Sequence, residues 1–568
     1  MSGRRRVAVV TGGGGGIGAA IAEELGRRGW FVCTVDPLVT LDGSQRLPEP
    51  EQTTAGRIVA AGGAARASSA SVTDAGALET LCAELVDEHG GLDAVVNVAG
   101  ITRQTYFASG SEEDWRAVLD VHLGGYLNVL RAALPHMAAA GSGRVLGVTS
   151  GSGWRAADAG AYSCAKRAVA ALTWQLGRHL PPGVTVNAMS PIAATRMVAA
   201  ALERARQMGR TGGGGVSFLD MPAPEDLAPF GAHLVGDGFG WCSGQVFFAG
   251  GSEVAVVDRP RLLEVVRTDD VASLARVLEA VVPRAFATAE AAQATDGGGN
   301  PRFGAIFDEP AGEGTMVGSV RACALVGPSA ELAAALTAAL GERGVTVHRV
   351  EGATGFAGTA AALRAAAVTA GALDAVVVAG TAQQGAMTAP AATGGEPVGT
   401  QPSWRDMLAE HEGIVDAIHA DAAWARAAAD HAAATGRPLR LVTLVDARTS
   451  GGRSRAQAAA QLARAAAGGT GGRVTAFAIG MEAPLPVVAE AVGALAAHLV
   501  THPDAPALGG AELAVGAGWI GVRSHPRPLG TVTFGGPAVP AWLDHALADI
   551  IGTAAGPSEG VAGEVGVR

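Results

Sequence analysis

The stretch VAVVTGGGGGIG, Val7 to Gly18, decides how the chain is read. A β-branched apolar run enters five consecutive glycines, and Ile21, Ala22 and Leu25 then recur at helical spacing. That is the pattern of a strand, a tight turn and a helix. Glycines at such a turn let backbone N–H groups approach a pyrophosphate, and the helix N-terminus adds its partial positive charge. Thr11, Gly12, Gly16, Ile17 and Gly18 are therefore candidate contacts to a dinucleotide.

Working outward, Trp30 to Val35 reads as a second strand ending in Asp36, about twenty residues past the glycines, where a carboxylate accepts from both adenosine ribose hydroxyls. It would repel a 2′-phosphate. No Lys or Arg lies in the glycine turn or directly after Asp36, so the expected cofactor is NAD rather than NADP. Beyond the polar loop Pro37 to Pro50, helices at Glu51 to Ala61, Ala75 to His89 and Glu112 to Met137 alternate with strands at Ala64 to Ser69, Leu92 to Val96 and Arg144 to Val148. A strand at Thr185 to Ala188 and a last one at Gln245 to Phe248 follow. This alternation is what a doubly wound parallel sheet requires, with ligands at the carboxyl ends of the strands. Gly12, Asp36, Asn97 and Ser150 all fall at that edge.

Thr149 to Lys166, TSGSGWRAADAGAYSCAK, holds the residues for chemistry. Tyr162 and Lys166 are four apart, which places both on one helix face. A cation beside a phenol favours phenolate and makes the group a usable proton shuttle, while the Ser150 hydroxyl polarises a carbonyl.

Together TGGGGGIG, the NVAG of Asn97 to Gly100, Ser150 and Tyr162-x-x-x-Lys166 resemble the short-chain dehydrogenase/reductase family over roughly the first 250 residues, a whole domain. The resemblance implies that Tyr162 is the general acid/base, that Lys166 lowers its pKa and holds the nicotinamide ribose, and that Ser150 binds the substrate oxygen. It also implies that Val72, Asn97, Ala99, Gly100, Pro191, Ile192 and Thr195 line the cofactor cleft. DVHLGGYL, SPIAATRM and the long loop after Asp36 resemble more narrowly the (3R)-hydroxyacyl-CoA dehydrogenase units of multifunctional enzyme type 2. His122 stands where most of the wider family has a catalytic Asn, and is expected to hold a proton-relay water through its backbone carbonyl. Ala70 replaces an aspartate of the narrower group that faces adenine. The glycine-rich part of Met189 to Gly215 suits a substrate lid.

The second half repeats this grammar. Leu373 to Gly380 echoes Leu92 to Gly100, and Glu512 to Gly521 resembles the tail of the same dehydrogenase units, so a tandem duplication is expected. Its chemistry is degraded: the glycine turn is answered by Gly327-Pro328-Ser329-Ala330-Glu331, Tyr162 by Arg453 and Lys166 by Gln457. The space from Glu351 to Thr359 is too short for a full second helix and third strand. The expected architecture is α/β, with two tandem doubly wound Rossmann-like parallel sheets packed as an intrachain pseudo-dimer. Residues 1–255 form the catalytic NAD-binding domain, 256–316 a linker with a helix, and 317–555 a non-catalytic copy.

Composition bounds the rest. A chain of 568 residues, 48% hydrophobic and 17% charged, buries large cores rather than staying disordered. A net charge of −11 argues against nucleic-acid or anionic-membrane partners. No eighteen-residue apolar span appears, the Arg4-Arg5-Arg6 run leads into glycines rather than a signal sequence, and five scattered cysteines suit reduced thiols, so a cytoplasmic protein is expected. No metal is expected. The substrate is a small-molecule secondary alcohol or ketone, by resemblance a 3-hydroxyacyl thioester; a steroid or polyketide alcohol, and a non-catalytic dinucleotide sensor or scaffold, are the alternatives. A further homodimer of the pseudo-dimer stays open.

Overall fold

Val7–Thr11, strand β1, is buried along its whole length because it sits inside a sheet covered on both faces. A computed structural model of the chain describes residues 4–156, 158–207, 221–269, 274–293, 319–380 and 402–554. With β1 run β2 (Phe31–Val35), β3 (Ala64–Ser68), β4 (Ala94–Asn97), β5 (Gly143–Val148), β6 (Val184–Pro191), β7 (Val246–Gly250) and β8 (Glu253–Asp258). Helices α1 (Gly16–Arg27), α2 (Thr54–Ala60), α3 (Ala75–His89), α4 (Glu112–Leu119), α5 (Gly125–Ala140), α6 (Gly160–Leu176), α7 (Arg196–Gln207) and α8 (Pro224–Leu234) connect them. Strands β3 to β7 are parallel, in the order β3-β2-β1-β4-β5-β6-β7. One apolar core lies under α3 to α6, and a second under α1 and α8. The helix expected from Glu112 to Met137 is interrupted by a π-helical turn, Asp120–Gly124, between α4 and α5.

The second half supplies β9 (Leu262–Arg267), α9 (Leu274–Val281), α10 (Ala287–Ala291), β10 (Ala322–Val326), α11 (Ala330–Glu342), β11 (Thr346–Val350), α12 (Gly355–Ala370) and β12 (Ala375–Val378). Then follow α13 (Trp404–Glu410), α14 (Ile414–Thr435), β13 (Leu439–Asp446), α15 (Ser450–Thr470), β14 (Val474–Met481), α16 (Leu485–Thr501), β15 (Glu512–Gly516), β16 (Trp519–Arg523), β17 (Arg527–Thr533) and α17 (Leu543–Ala554). The second sheet runs β11-β10-β12-β13-β14-β15-β16-β9 and, among the described residues, has no strand outside β11, where the first has β3. The short Glu351 to Thr359 segment accounts for that loss: α12 begins within it and leads straight to β12.

The sheets exchange their outermost strands. Strand β9, which follows β8 in the chain, pairs antiparallel with β16 of the second sheet. Strand β17, which follows β16, pairs antiparallel with β8 of the first. Where the chains cross, Arg261 N–H donates to Ser524 Oγ at 3.0 Å and Ser524 N–H to Arg261 O at 2.7 Å. Helix α17 covers the first half, with Leu543 and Leu547 fully buried in its core, while Leu278 of α9 is buried in the second. The first sheet therefore does not end at the strand near Gln245 to Phe248: β8 and the donated β17 lie beyond it.

The halves pack as the sequence reading expects, with α6 along α15 and α4 against α14. A single apolar cluster runs from α5 and α6 through to α14 and α15. Arg116 pairs with Asp416 at 2.5 Å across this seam, and Arg131 donates to Leu408 O at 3.1 Å.

Candidate active site

The glycine turn is held open by backbone contacts. Gly12 has φ +66°, and a Cβ there would lie 2.8 Å from Ala99 N, while one at Gly18 would strike the Gly12 carbonyl. Gly14, Gly16 and Ile17 face the cleft, so the unpaired N–H groups at the start of α1 point at whatever binds there. Thr11 does not reach it. Its hydroxyl is buried, donates to Asn97 Oδ1 at 2.7 Å and accepts from Ala99 N at 3.3 Å, so Thr11 and Asn97 tie β1 to β4 beneath the site. Asp36 accepts from Gly14 N–H at 3.0 Å and Leu38 N–H at 2.9 Å. The second bond belongs to a backbone at φ +53° on Leu38, a strained conformation for a branched residue.

On the other side of the cleft, Lys166 is buried and its Nζ donates to Val148 O at 2.6 Å. Burial pushes the ammonium down from 10.5 to about 7. Burial pushes the Tyr162 phenol up, and a side-chain hydrogen bond with Ser150 pulls it back. The Lys166 ammonium stands 5.7 Å from the Tyr162 ring centre. Ser150 caps the short turn Gly151–Gly153, its Oγ accepting from Ser152 N–H at 3.3 Å.

His122 sits in the π-helical turn with its ring edge-on to Tyr162, centres 4.9 Å apart. Its Nε2 lies 2.8 Å from Ile101 O and 3.3 Å from Ile101 N, and its buried Nδ1 has no partner among the described residues. Burial, then the Lys166 charge, pushes the imidazole down to about 3, so it is neutral at neutral pH. Gly100 makes room for it, since a Cβ there would overlap the ring. A π turn shifts helical hydrogen bonds to i→i−5, here Gly125 N–H to Asp120 O, and such turns occur frequently at functional sites.

These residues meet in one cleft of about 250 Å³, lined by Gly12, Gly16, Ile17, Asp36, Gly100, His122, Tyr162, Lys166, Pro191 and Thr195 of the sequence-predicted set. Ser150, Val72, Ala99, Ile192 and Gly18 do not line that cleft directly: Val72 is buried under α5 and accepts from Asn128 Nδ2 at 3.0 Å through its carbonyl, while Ser150 is half-buried and hydrogen-bonded to Tyr162. Two features escaped the sequence reading. Leu38 to Leu41 and Leu47 of the polar loop form an apolar wall, and Arg196 reaches the glycine turn, its Nη2 being 3.2 Å from where a Gly15 Cβ would stand. The signal for Arg196 was its place directly after Thr195 in SPIAATRM. The expected lid falls partly on residues 208–220, outside the described residues.

The family model for short chain dehydrogenases matches residues 6–206. The short-chain reductase protein NovJ of Streptomyces niveus is 39% identical over 35% of this chain and 73% of its own length. The chain belongs to the short-chain dehydrogenase/reductase family. It is therefore an oxidoreductase acting on CH–OH groups, and its cofactor is a nicotinamide dinucleotide. Acetoacetyl-CoA reductase of Allochromatium vinosum is 32% identical over 42% of this chain and 94% of its own. Peroxisomal hydratase-dehydrogenase-epimerase of Saccharomyces cerevisiae is 34% identical over 35% of this chain, which spans only 22% of that larger protein.

In the second half of this dehydrogenase the corresponding positions are rebuilt. The counterpart of the nucleotide cleft, between Ser329, Leu332, Asp446 and Arg448, shrinks to about 70 Å³ and carries an Arg448–Asp446 ion pair at 2.6 Å. Gln457, in the place of Lys166, donates to Glu512 and accepts from Arg167 Nε at 3.0 Å. Arg167, the residue after Lys166, is fully buried and also donates to Gln461 Oε1 at 3.1 Å and Glu512 Oε2 at 2.8 Å. Gln461 in turn donates to the carbonyls of Ser152 at 3.2 Å and Arg155 at 2.7 Å. The second half thus grips the loop that follows Ser150.

Proposed function

We propose that the first half interconverts a secondary alcohol and a ketone with NAD, on a 3-hydroxyacyl thioester, and that the second half does no chemistry. The observation that carries this reading is that Tyr162, Lys166 and a neutral His122 share one cleft with the glycine turn and Asp36. The cleft suits a dinucleotide: glycines stand where a Cβ would close it, N–H groups of α1 face it, and Asp36 is held at the end of β2. Arg196 adds a cation for the pyrophosphate.

Bound NAD supplies the hydride acceptor, and its reduced form the donor. Tyr162 Oη takes the alcohol proton in oxidation and returns it to the ketone oxygen in reduction. Ser150 Oγ donates to that same oxygen. A protonated Lys166 offsets the developing phenolate and holds the nicotinamide ribose. His122 cannot serve as the proton donor while neutral, so its contribution is to position Tyr162 edge-on and to hold a relay water through the opened backbone of its π turn.

The thioester assignment is supported by the acetoacetyl-CoA reductase and hydratase-dehydrogenase-epimerase relatives. Asp36 supports NAD over NADP. For function the chain divides at 1–255, 256–316 and 317–555, with catalysis in the first part and one chain forming the pseudo-dimer; we place it in the cytoplasm. Among the described residues, no helix is long and apolar enough to cross a membrane. NADH absorbance, followed with a panel of hydroxyacyl thioesters and cyclic alcohols, tests the reading. Turnover should be fastest on a hydroxyacyl thioester and fall about 10²- to 10⁴-fold in Tyr162→Phe. Undiminished activity in that variant rejects the mechanism, and faster turnover of the cyclic alcohols rejects the thioester.

A further inference from the structure

The loop after Asp36 is a small, internally bonded hairpin. Val39 bridges Arg46, Leu47 N–H donates to Leu38 O at 2.6 Å, and Thr40 N–H donates to Gln45 O at 2.8 Å. Inside the turn the Asp42 carboxylate accepts from Ser44 N–H at 3.1 Å and from Ser44 Oγ at 2.9 Å. The hairpin is rooted at one end of the cleft, where Asp36 holds Leu38 N–H, and its tip is seated toward the other. There Thr102 N–H donates to Leu41 O at 2.8 Å, and a Cβ on Gly43 would stand only 3.1 Å from the Ile101 side chain. Ile101 is in turn hydrogen-bonded to His122, whose ring is edge-on to Tyr162.

One side chain fastens the tip. Arg103 Nε donates to Asp42 O at 2.7 Å and its Nη1 to Asp114 Oδ1 of α4 at 3.2 Å, with only 15% of the side chain exposed. Helix α4 is itself held by the second half on either side of Asp114. Two residues earlier, Glu112 accepts from Phe356 N–H of α12 at 2.9 Å; two residues later, Arg116 pairs with Asp416 of α14. The pin is therefore braced against the seam between the halves. A guanidinium suits this place, because its donors diverge in fixed directions and hold two acceptors at once.

We infer that Arg103 is a positioning residue for the cofactor: by pinning the hairpin tip it makes Leu38 to Leu47 a fixed apolar flank along the dinucleotide and slows its escape. The inference rests on the proposed placement of the cofactor in this cleft, with the adenosine ribose at Asp36 and the nicotinamide beside Tyr162. A nucleotide lying between those residues runs the length of the hairpin, and Leu38, Val39, Leu41 and Leu47 line the cleft along it. Leu47 leaves 40% of its surface exposed, apolar area that a bound nucleotide covers. A flank that is already ordered gives its contacts without an ordering cost at binding, and such contacts act on dissociation more than on encounter. Without Arg103 the tip keeps only the Thr102 backbone bond, and the hairpin must be ordered each time a nucleotide binds.

Stopped-flow displacement of bound NADH by excess NAD, followed by nucleotide fluorescence on the full chain, reads the off-rate without any turnover; NADPH displaced by NADP is measured beside it. Arg103→Met should raise the NADH off-rate about tenfold and leave the on-rate within about twofold. Its ion pair is partly exposed, so the variant should melt within about 4 °C of wild type. Leu47→Ala, at an exposed position, should raise the off-rate about threefold while leaving the pin in place. The same rises for NADPH, in a chain that prefers NADPH, support the pin and reject the NAD assignment. An off-rate within about twofold of wild type in either variant overturns the proposal and leaves the cofactor placement standing, as does a rise that only follows a loss of melting temperature. A wild-type chain that binds neither nucleotide overturns both.

Discussion

Replacing Arg167 by Met asks how firmly a buried charge holds the two halves together. The guanidinium is fully buried on the seam, 2.8 Å from a Glu512 carboxylate whose side chain is 8% exposed. Losing the cation leaves that carboxylate and the carbonyls of Gln457 and Gln461 without their charged donor. Breaking a buried pair from one side costs about 3–5 kcal/mol, because the surviving ion is left dry, here with the neutral Gln457 amide in place of a countercharge. Removing both ions, as in Arg167→Met with Glu512→Leu, leaves no orphan charge, and replacing a buried pair by apolar residues is often near neutral. The double variant should therefore regain at least about half of what the single one loses. The pH dependence has a fixed sign: burial raises the folded value of Glu512, most of all without Arg167, so the folded state keeps the proton longer. That stabilisation is present below the unfolded value and is lost as pH rises through the folded one, so Arg167→Met should be more destabilised at about pH 8 than at about pH 5. Urea unfolding followed by circular dichroism and tryptophan fluorescence measures both effects, and the two probes should report one transition because the exchanged strands tie the sheets. A single variant within about 1 kcal/mol of wild type, or a double variant no more stable than the single, refutes the reasoning.

Lys166→Met should change the pH slope of stability. The wild-type lysine is depressed to about 7 from 10.5, so the unfolded chain binds more protons between those values, and wild type gains stability as pH rises through that window. Urea melts at about pH 6 and about pH 9 should show the variant's advantage shrinking at the higher pH, and a difference that does not change with pH contradicts the buried amine. Gln461→Ala frees the carbonyls of Ser152 and Arg155, so kcat should fall about tenfold while stability changes by only about 1 kcal/mol; an unchanged kcat means the second half does not hold the Ser150 loop. Asp36→Ala should narrow the NAD over NADP preference in KM by on the order of tenfold, the worth of a charged hydrogen bond, and an unchanged ratio removes the role given to Asp36.

What was legible in the sequence was local. The glycine turn, Asp36 and the Tyr162-Lys166 pair each declare themselves within a few residues, because turn geometry and helical spacing are short-range constraints. Helix Ala75–His89 falls where the pattern places it, with Asp74 at its N-cap and Gly90 left-handed at its end. Strand β9, LLEVVR, is rich in aliphatic residues, yet nothing in it says that its partner β16 lies some 250 positions on rather than beside β8. Arg167 is equally opaque. In sequence it is an ordinary helix cation beside Lys166, and only α15, from the other half, makes it the most completely buried charge on the seam. The break at Asp120–Gly124 is missed for a related reason: the apolar period continues through it, while the backbone shifts by one residue to set His122 against Tyr162.

On the proposed reading that the second half does no chemistry, the exchange also explains why that half is still required. Without β17 and α17 the first sheet would end at β8 as a long apolar edge, and its core would lose the two fully buried leucines, Leu543 and Leu547, that α17 contributes. Without β9 the second sheet would lose the strand that closes β16. Neither half can be removed without opening the other, so the fold of the second half is constrained whether or not it keeps any chemistry. Gln457, which stands in the lysine position, is one of the residues that make the support. Gln in the lysine position cannot hold a ribose beside a phenolate, but it can accept from Arg167 and donate to Glu512 at once. One turn further along α15, Gln461 stands where the first half has Ala170, and its amide closes onto the Ser152 and Arg155 carbonyls. Two amide side chains, each both donor and acceptor, make this face of α15 a brace for the Ser150 loop of the first half.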